Sequence, residues 1–125
     1  PRWGVSPRFV LQNMGTDYLR EKFCDDFFLR NLQNRLVDRQ PTLLVVSDVR
    51  FPNEVEYIKN RGGHVWRIER PGLTYPKDQH PSETALDDYQ GFDQVITNDG
   101  SVEDFRRKIT KVYEDLLGNH EFFEN

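Results

Sequence analysis

The 125-residue chain sets 17 Lys and Arg against 21 Asp and Glu. A net charge of −4 leaves no global basic field to favour direct nucleic-acid binding. A mean hydropathy of −0.79 is low for a globular domain, yet 9 Phe, 5 Tyr and 2 Trp argue against disorder. The length suits a single domain, 1–125, with room for a core. The lone Cys24 excludes an internal disulfide and fits a reducing, cytoplasmic setting. Set among Phe23, Phe27 and Phe28, it reads as a packed thiol rather than a nucleophile. No apolar run approaches membrane-spanning length, and no signal peptide is visible. The chain begins with Pro1, not Met, and so reads as a piece of something longer or a processed product.

Ser6-Pro7 is a helix start, a hydroxyl cap followed by proline at the first helical position. That helix is expected to run to Met14, with Gly15 ending it and Thr16 capping the next. A longer helix is predicted over 25–38, with Phe28, Leu32 and Leu36 on one stripe and Arg30, Arg35 and Arg39 in solvent. The segment 1–40 is therefore helical, and an α/β core is expected over about 41–118.

The core opens on the most informative run, Leu43-Leu44-Val45-Val46-Ser47-Asp48-Val49-Arg50-Phe51-Pro52. Four successive apolar residues predict a strand over 42–47, buried on both faces. Ligands of open α/β sheets bind beyond the carboxyl ends of the strands, which is where Asp48 and Arg50 stand. A carboxylate suits a metal ion or a proton, and a guanidinium suits a phosphate. The plainer reading makes Asp48 a helix cap and Arg50 its surface partner. Pro52 starts a helix over 52–61 that buries Val55 and Ile58. A second strand is predicted over 64–70, parallel to the first through a βαβ crossover. After a proline-rich loop over 71–81, Ser82 is expected to cap a short helix to Asp87. A third strand covers 94–97, and Ser101 with Asp104 approximates a capping box for a helix over 102–117 that Gly118 stops. The tail from Asn119 carries no clear signal.

Five segments occur in a telling order: S-P-R-F-V-L-Q-N-M-G-T-D-Y-L-R at Ser6, V-V-S-D-V-R-F-P-N-E at Val45, G-G-H-V-W-R-I-E-R-P at Gly62, H-P-S-E at His80 and I-T-N-D-G-S at Ile96. Together, over almost the whole chain, they resemble the bacteriophage deoxynucleoside monophosphate kinase family. The resemblance implies a P-loop kinase-like fold, a parallel sheet with flanking helices. It implies transfer of the ATP γ-phosphoryl to a deoxynucleoside 5′-monophosphate with Mg²⁺, for viral DNA precursor supply. No G-x-x-x-x-G-K-[ST] occurs in these 125 residues. The expected fold is therefore one lacking its first strand and the loop that cradles ATP phosphates.

The resemblance sets Arg8, Gln12 and Arg20 in the segment that holds the monophosphate and its base, against a solvated helix face as the plain alternative. It strengthens Asp48 and Arg50 as the catalytic pair, with Asp48 a Mg²⁺ ligand or phosphate holder, while Asn53 and Glu54 support the turn. Asp48, Arg50 and Arg8 are expected in one pocket. Arg70, at a strand end, reaches a phosphate or pairs with Glu69 or Glu83. Asn98 and Asp99 approach a nucleotide or form a plain turn. His80 makes a structural hydrogen bond, since too few histidines and no nearby cysteine accompany it for zinc. Two further readings compete with the kinase: a non-catalytic nucleotide-binding protein and a structural or interaction protein on a reduced kinase fold. The missing first strand would leave an exposed edge, which predicts self-association or a partner chain.

Overall fold

A computed structural model describes residues 4–73 and 80–120, the last two for their backbone only. The chain divides into two compact units, Pro1–Gly62 with Lys77–Tyr89, and Gly63–Pro76 with Gln90–Asn125. The whole is α/β, with a small parallel sheet and helices. No helix among the described residues is long and apolar enough to cross a membrane.

The first unit is helical. Ser6 caps α1 (Pro7–Gln12) by accepting the Phe9 N–H. The chain does not break at Gly15 as expected. It widens into a π-helix (Asn13–Phe23) that closes with the Cys24 N–H on the Leu19 carbonyl. A helical glycine costs only about 1 kcal/mol, and contacts distant in sequence outweigh it. Thr16 and Arg20, one turn apart, are the buried residues of this helix. Helix α2 (Phe27–Arg39) follows, with Leu32 and Leu36 half-buried and Arg30 paired to Asp26 across one turn at 2.8 Å.

The segment 42–47 is the main departure from expectation. It forms no strand, and the sheet has two strands, not three. A strand exists only where a neighbour takes its N–H and C=O groups, and no described residue pairs with 42–47. Its side chains are open: Leu43 63%, Leu44 46%, Val45 80% and Val46 40% exposed. The βαβ crossover expected around 52–61 is accordingly not formed. Helix α3 (Pro52–Lys59) is present, and its Val55 is fully buried with Ile58 half-buried. Helix α4 is shorter than expected, Pro81–Thr84, and its cap is His80 rather than Ser82. The loop residues 74–79 and the tail 121–125 lie outside the described residues.

The second unit holds the sheet. Strands β1 (Trp66–Glu69) and β2 (Gln94–Thr97) run parallel, with Ile68 opposite Ile96. The ladder is extended at its two ends by Asp93 N–H on Val65 O at 2.8 Å and Asn98 N–H on Glu69 O at 2.7 Å. Val65 and Ile96 are the buried apolar residues here. Arg67 and Glu69 share a face, as period two requires, and pair at 3.1 Å. The Ser101–Asp104 capping box is as expected: Ser101 Oγ takes the Asp104 N–H and the Asp104 carboxylate takes the Ser101 N–H, both at 3.1 Å. Gly100 makes room for it, since a Cβ there would stand 3.0 Å from the Asp104 carboxylate. Helix α5 (Val102–His120) runs through Gly118 instead of stopping.

Candidate functional site

The candidate site lies in the first unit, where three segments distant in sequence meet. Arg8 comes from α1, Arg50 from the turn before α3, and Glu83 from α4. One carboxylate oxygen, Glu83 Oε1, accepts from Arg8 Nη2 at 2.8 Å and from Arg50 Nη1 at 3.0 Å. Arg50 Nη1 also approaches the Ser82 carbonyl at 3.4 Å. Side-chain exposure is 71% at Arg8, 44% at Arg50 and 28% at Glu83, so both guanidiniums open to solvent. Burial pushes the Glu83 carboxyl up, but the Arg50 hydrogen bond and charge, with Arg8 behind them, outweigh it. The net effect holds Glu83 below its ordinary 4.5.

His80 fixes α4 where Glu83 can do this. Its Nδ1 accepts the Ser82 N–H at 3.3 Å. Nε2 lies 2.9 Å from Asp17 Oδ1 on the π-helix. The structural hydrogen bond expected of His80 is thus present, and it spans from residue 80 to residue 17.

Behind Arg50 is a buried ion pair. The Arg20 guanidinium stacks on the Phe51 ring at 3.7 Å, donates to Asn53 Oδ1 at 3.1 Å and pairs with Glu54 Oε1. Arg20 is 7% exposed, so it is not on the solvated helix face that its neighbour Glu21 suggests. The other Glu54 oxygen accepts the N–H of Arg50 at 2.8 Å and of Phe51 at 3.1 Å. Glu54 supports the turn, as expected of it. An open cleft of about 680 Å³ borders this pair, lined in part by Arg20, Cys24, Phe51 and Asn53.

The remaining expected residues fall as follows. Gln12 is half-buried on α1 with no side-chain hydrogen bond among the described residues. Asp48 is exposed and accepts the Ser47 hydroxyl at 3.1 Å, with no hydrogen bond or ion pair to Arg8 or Arg50 among the described residues. Arg70, Asn98 and Asp99 belong to the second unit. Arg70 is exposed there. Asp99 pairs with Lys108 at 2.6 Å, and that hydrogen bond lowers its pKa. Lys108 also donates to the Thr97 carbonyl at 2.8 Å, closing the end of β2. Cys24 donates its thiol to Asp26, and this bond raises its pKa, which suits a passive thiol. Cys24, Asp25 and Asp26 bring three donor atoms together, away from Asp48 in sequence.

Residues 2–109 match the family described as deoxynucleotide monophosphate kinase. The chain belongs to that family. A protein of Acanthamoeba polyphaga mimivirus, named provisionally as a deoxynucleotide monophosphate kinase, is 36% identical over 121 residues, covering 86% of this chain and 62% of the relative. The deoxynucleotide monophosphate kinase of Escherichia phage RB69 is 32% identical over 113 residues, 88% of this chain and 45% of the phage protein. That of Enterobacteria phage T4 is 31% identical over 111 residues, 86% of this chain and 44% of the phage protein. This deoxynucleotide monophosphate kinase homologue therefore spans between about two fifths and two thirds of the length of these relatives. Within it, sequence reasoning missed Glu83 as the bridge between Arg8 and Arg50. The H-P-S-E segment was the available signal, because it places a carboxylate just inside a proline-started helix.

Proposed function

We propose that this chain is the acceptor-binding part of a P-loop-type kinase that moves the γ-phosphoryl of ATP onto a deoxynucleoside 5′-monophosphate, for viral DNA precursor supply. One observation carries this reading most: two solvent-open arginines from separate segments converge on a single carboxylate oxygen. An anion already sits where a phosphate oxygen of the acceptor would. Paired guanidiniums supply directed donors and positive charge, the two things phosphoryl transfer asks of a protein. Gln12, half-buried on the same helix as Arg8, carries a free amide for a base edge.

Asp48 and Ser47 offer a carboxylate and a hydroxyl 3.1 Å apart. That oxygen set suits Mg²⁺, which takes one or two carboxylates besides water and phosphate. Asp48 is the residue that would hold it, and the ion would neutralise phosphate charge. In the second unit, Arg70, Asn98 and Asp99 are the proposed contacts to nucleotide. The cradle for the ATP phosphates is assigned to a segment these 125 residues do not contain, supplied by another polypeptide stretch that also covers the apolar side chains of 43–46.

Calorimetric titration of the chain with each deoxynucleoside 5′-monophosphate tests the reading. Arg50→Ala should weaken binding by roughly tenfold or more, the scale of one lost charge-assisted pair. Unchanged affinity in a folded Arg50→Ala chain removes Arg50 from the acceptor site and the reading with it.

A further inference from the structure

Among the described residues Arg20 is the most buried charge of the first unit, and its partners there sit on one short stretch. The guanidinium lies over Phe51, donates to Asn53 and pairs with Glu54. These residues form the first turn of α3 and the residue before it. A helix start leaves N–H groups without intrahelical acceptors, and the Glu54 carboxylate fills that gap for Arg50 and Phe51. Arg20 is therefore one ion pair removed from the backbone of Arg50. Burying a charge is costly unless it is paired, and here the pairing is incomplete, since Arg20 Nε–H is buried with no acceptor. The partners this guanidinium does have all lie in the first turn of α3 or the residue before it.

That turn carries the side chain the proposed function depends on. From its present backbone position Arg50 reaches Glu83, alongside Arg8. Direct contact between Arg20 and a nucleotide fits the structure poorly. The side chain is 8% exposed, and a ligand would have to break its bonds to Asn53 and Glu54. Resting on the acceptor-site reading above, we infer that Arg20 is a positioning residue: it fixes Arg50 through Glu54 for the acceptor phosphate and does not touch the nucleotide.

A double-mutant cycle on monophosphate binding by the chain tests this, read by calorimetry with the four deoxynucleoside 5′-monophosphates as probes. Folding of each variant is checked by circular dichroism. Arg20→Lys keeps the charge but loses the planar fork, and should weaken binding by roughly fivefold. In an Arg50→Ala background the same change should alter affinity by less than about twofold, because the residue it acts through is gone. Equal losses in both backgrounds overturn the proposal while the acceptor site stands, as does full affinity in a folded Arg20→Lys chain. No loss on Arg50→Ala alone overturns the reading beneath it instead. If Arg20→Lys unfolds the chain, Glu54→Gln repeats the test, since its amide oxygen still accepts the two N–H groups but lacks the charge that holds Arg20. Hydrogen exchange in the unsubstituted chain is independent of any variant. The Arg50 and Phe51 amides should be protected, and exchange at free-peptide rates overturns the proposal.

Discussion

Replacing Glu83 with glutamine separates stability from binding, because the two should move in opposite directions. Glu83 holds Arg8 and Arg50 through one oxygen at 2.8 and 3.0 Å. Both pairs are partly solvated, so each contributes in the range of exposed ion pairs, and together they stabilise the unit by about 0.5–1.5 kcal/mol. Glutamine fills the same space and keeps an acceptor, so only the charge is lost. A monophosphate entering the same guanidiniums must displace that charge. Removing it lowers the cost of entry by a similar amount, which corresponds to about two- to tenfold tighter binding. The expected outcome is thus a lower urea midpoint and a lower Kd for deoxynucleoside monophosphate in the same variant. The gain in affinity should shrink as salt rises, because screening weakens the competing pair in the parent chain. Weaker binding by Glu83→Gln refutes the reasoning. It would mean that Glu83 preorganises the two arginines for the phosphate rather than occupying them in its place.

Val55→Ala should destabilise the first unit by about 2–3 kcal/mol, through two lost methyl groups and the cavity left at a fully buried position; urea unfolding measures it, and a change of less than about 0.5 kcal/mol, the size of a surface substitution, refutes it. Acid should destabilise the chain through Glu83, whose folded pKa lies below its ordinary value of 4.5 despite burial, because of Arg50 and Arg8. A lowered folded pKa gives stability that is complete above the unfolded value and is lost as pH falls through the folded one. Asp99, held down by Lys108, and Asp104, held down by Ser101 and then Arg107, act in the same direction. The urea midpoint should therefore hold at neutral pH and fall on acidification below about pH 4.5; a midpoint that stays constant down to pH 3, roughly the foot of the carboxylate range, refutes it. Light scattering should find the chain larger than a monomer, because the open apolar side chains of 43–46 invite another polypeptide; a monodisperse monomer at high concentration refutes that.

How far the sequence could be read depends on how local each feature is. Ser6-Pro7, Pro52 and the Ser101–Asp104 pair are helix starts made by residues within a turn of one another, and all three form as their chemistry dictates. Strand 94–97 and its parallel neighbour were visible because short apolar runs beside turn residues say where a strand lies. Segment 42–47 carries the stronger strand signal yet forms none, because a ladder needs a second chain segment and composition cannot supply it. Gly15 shows the same limit from the other side. A glycine predicts a helix end only while nothing farther away holds the helix together, and here Asp17 and Arg20 reach residues 80, 53 and 54. Arg20 beside Glu21 looks solvated for the same reason, since its true partner lies 34 positions on. The charges that matter most in the candidate site are those whose partners are most distant. Arg8 and Glu83 are 75 residues apart and share one bond. A phosphate site assembled this way depends on the helices that carry it, so its affinity should respond to changes in the π-helix and in the first turn of α3 as well as to its own arginines.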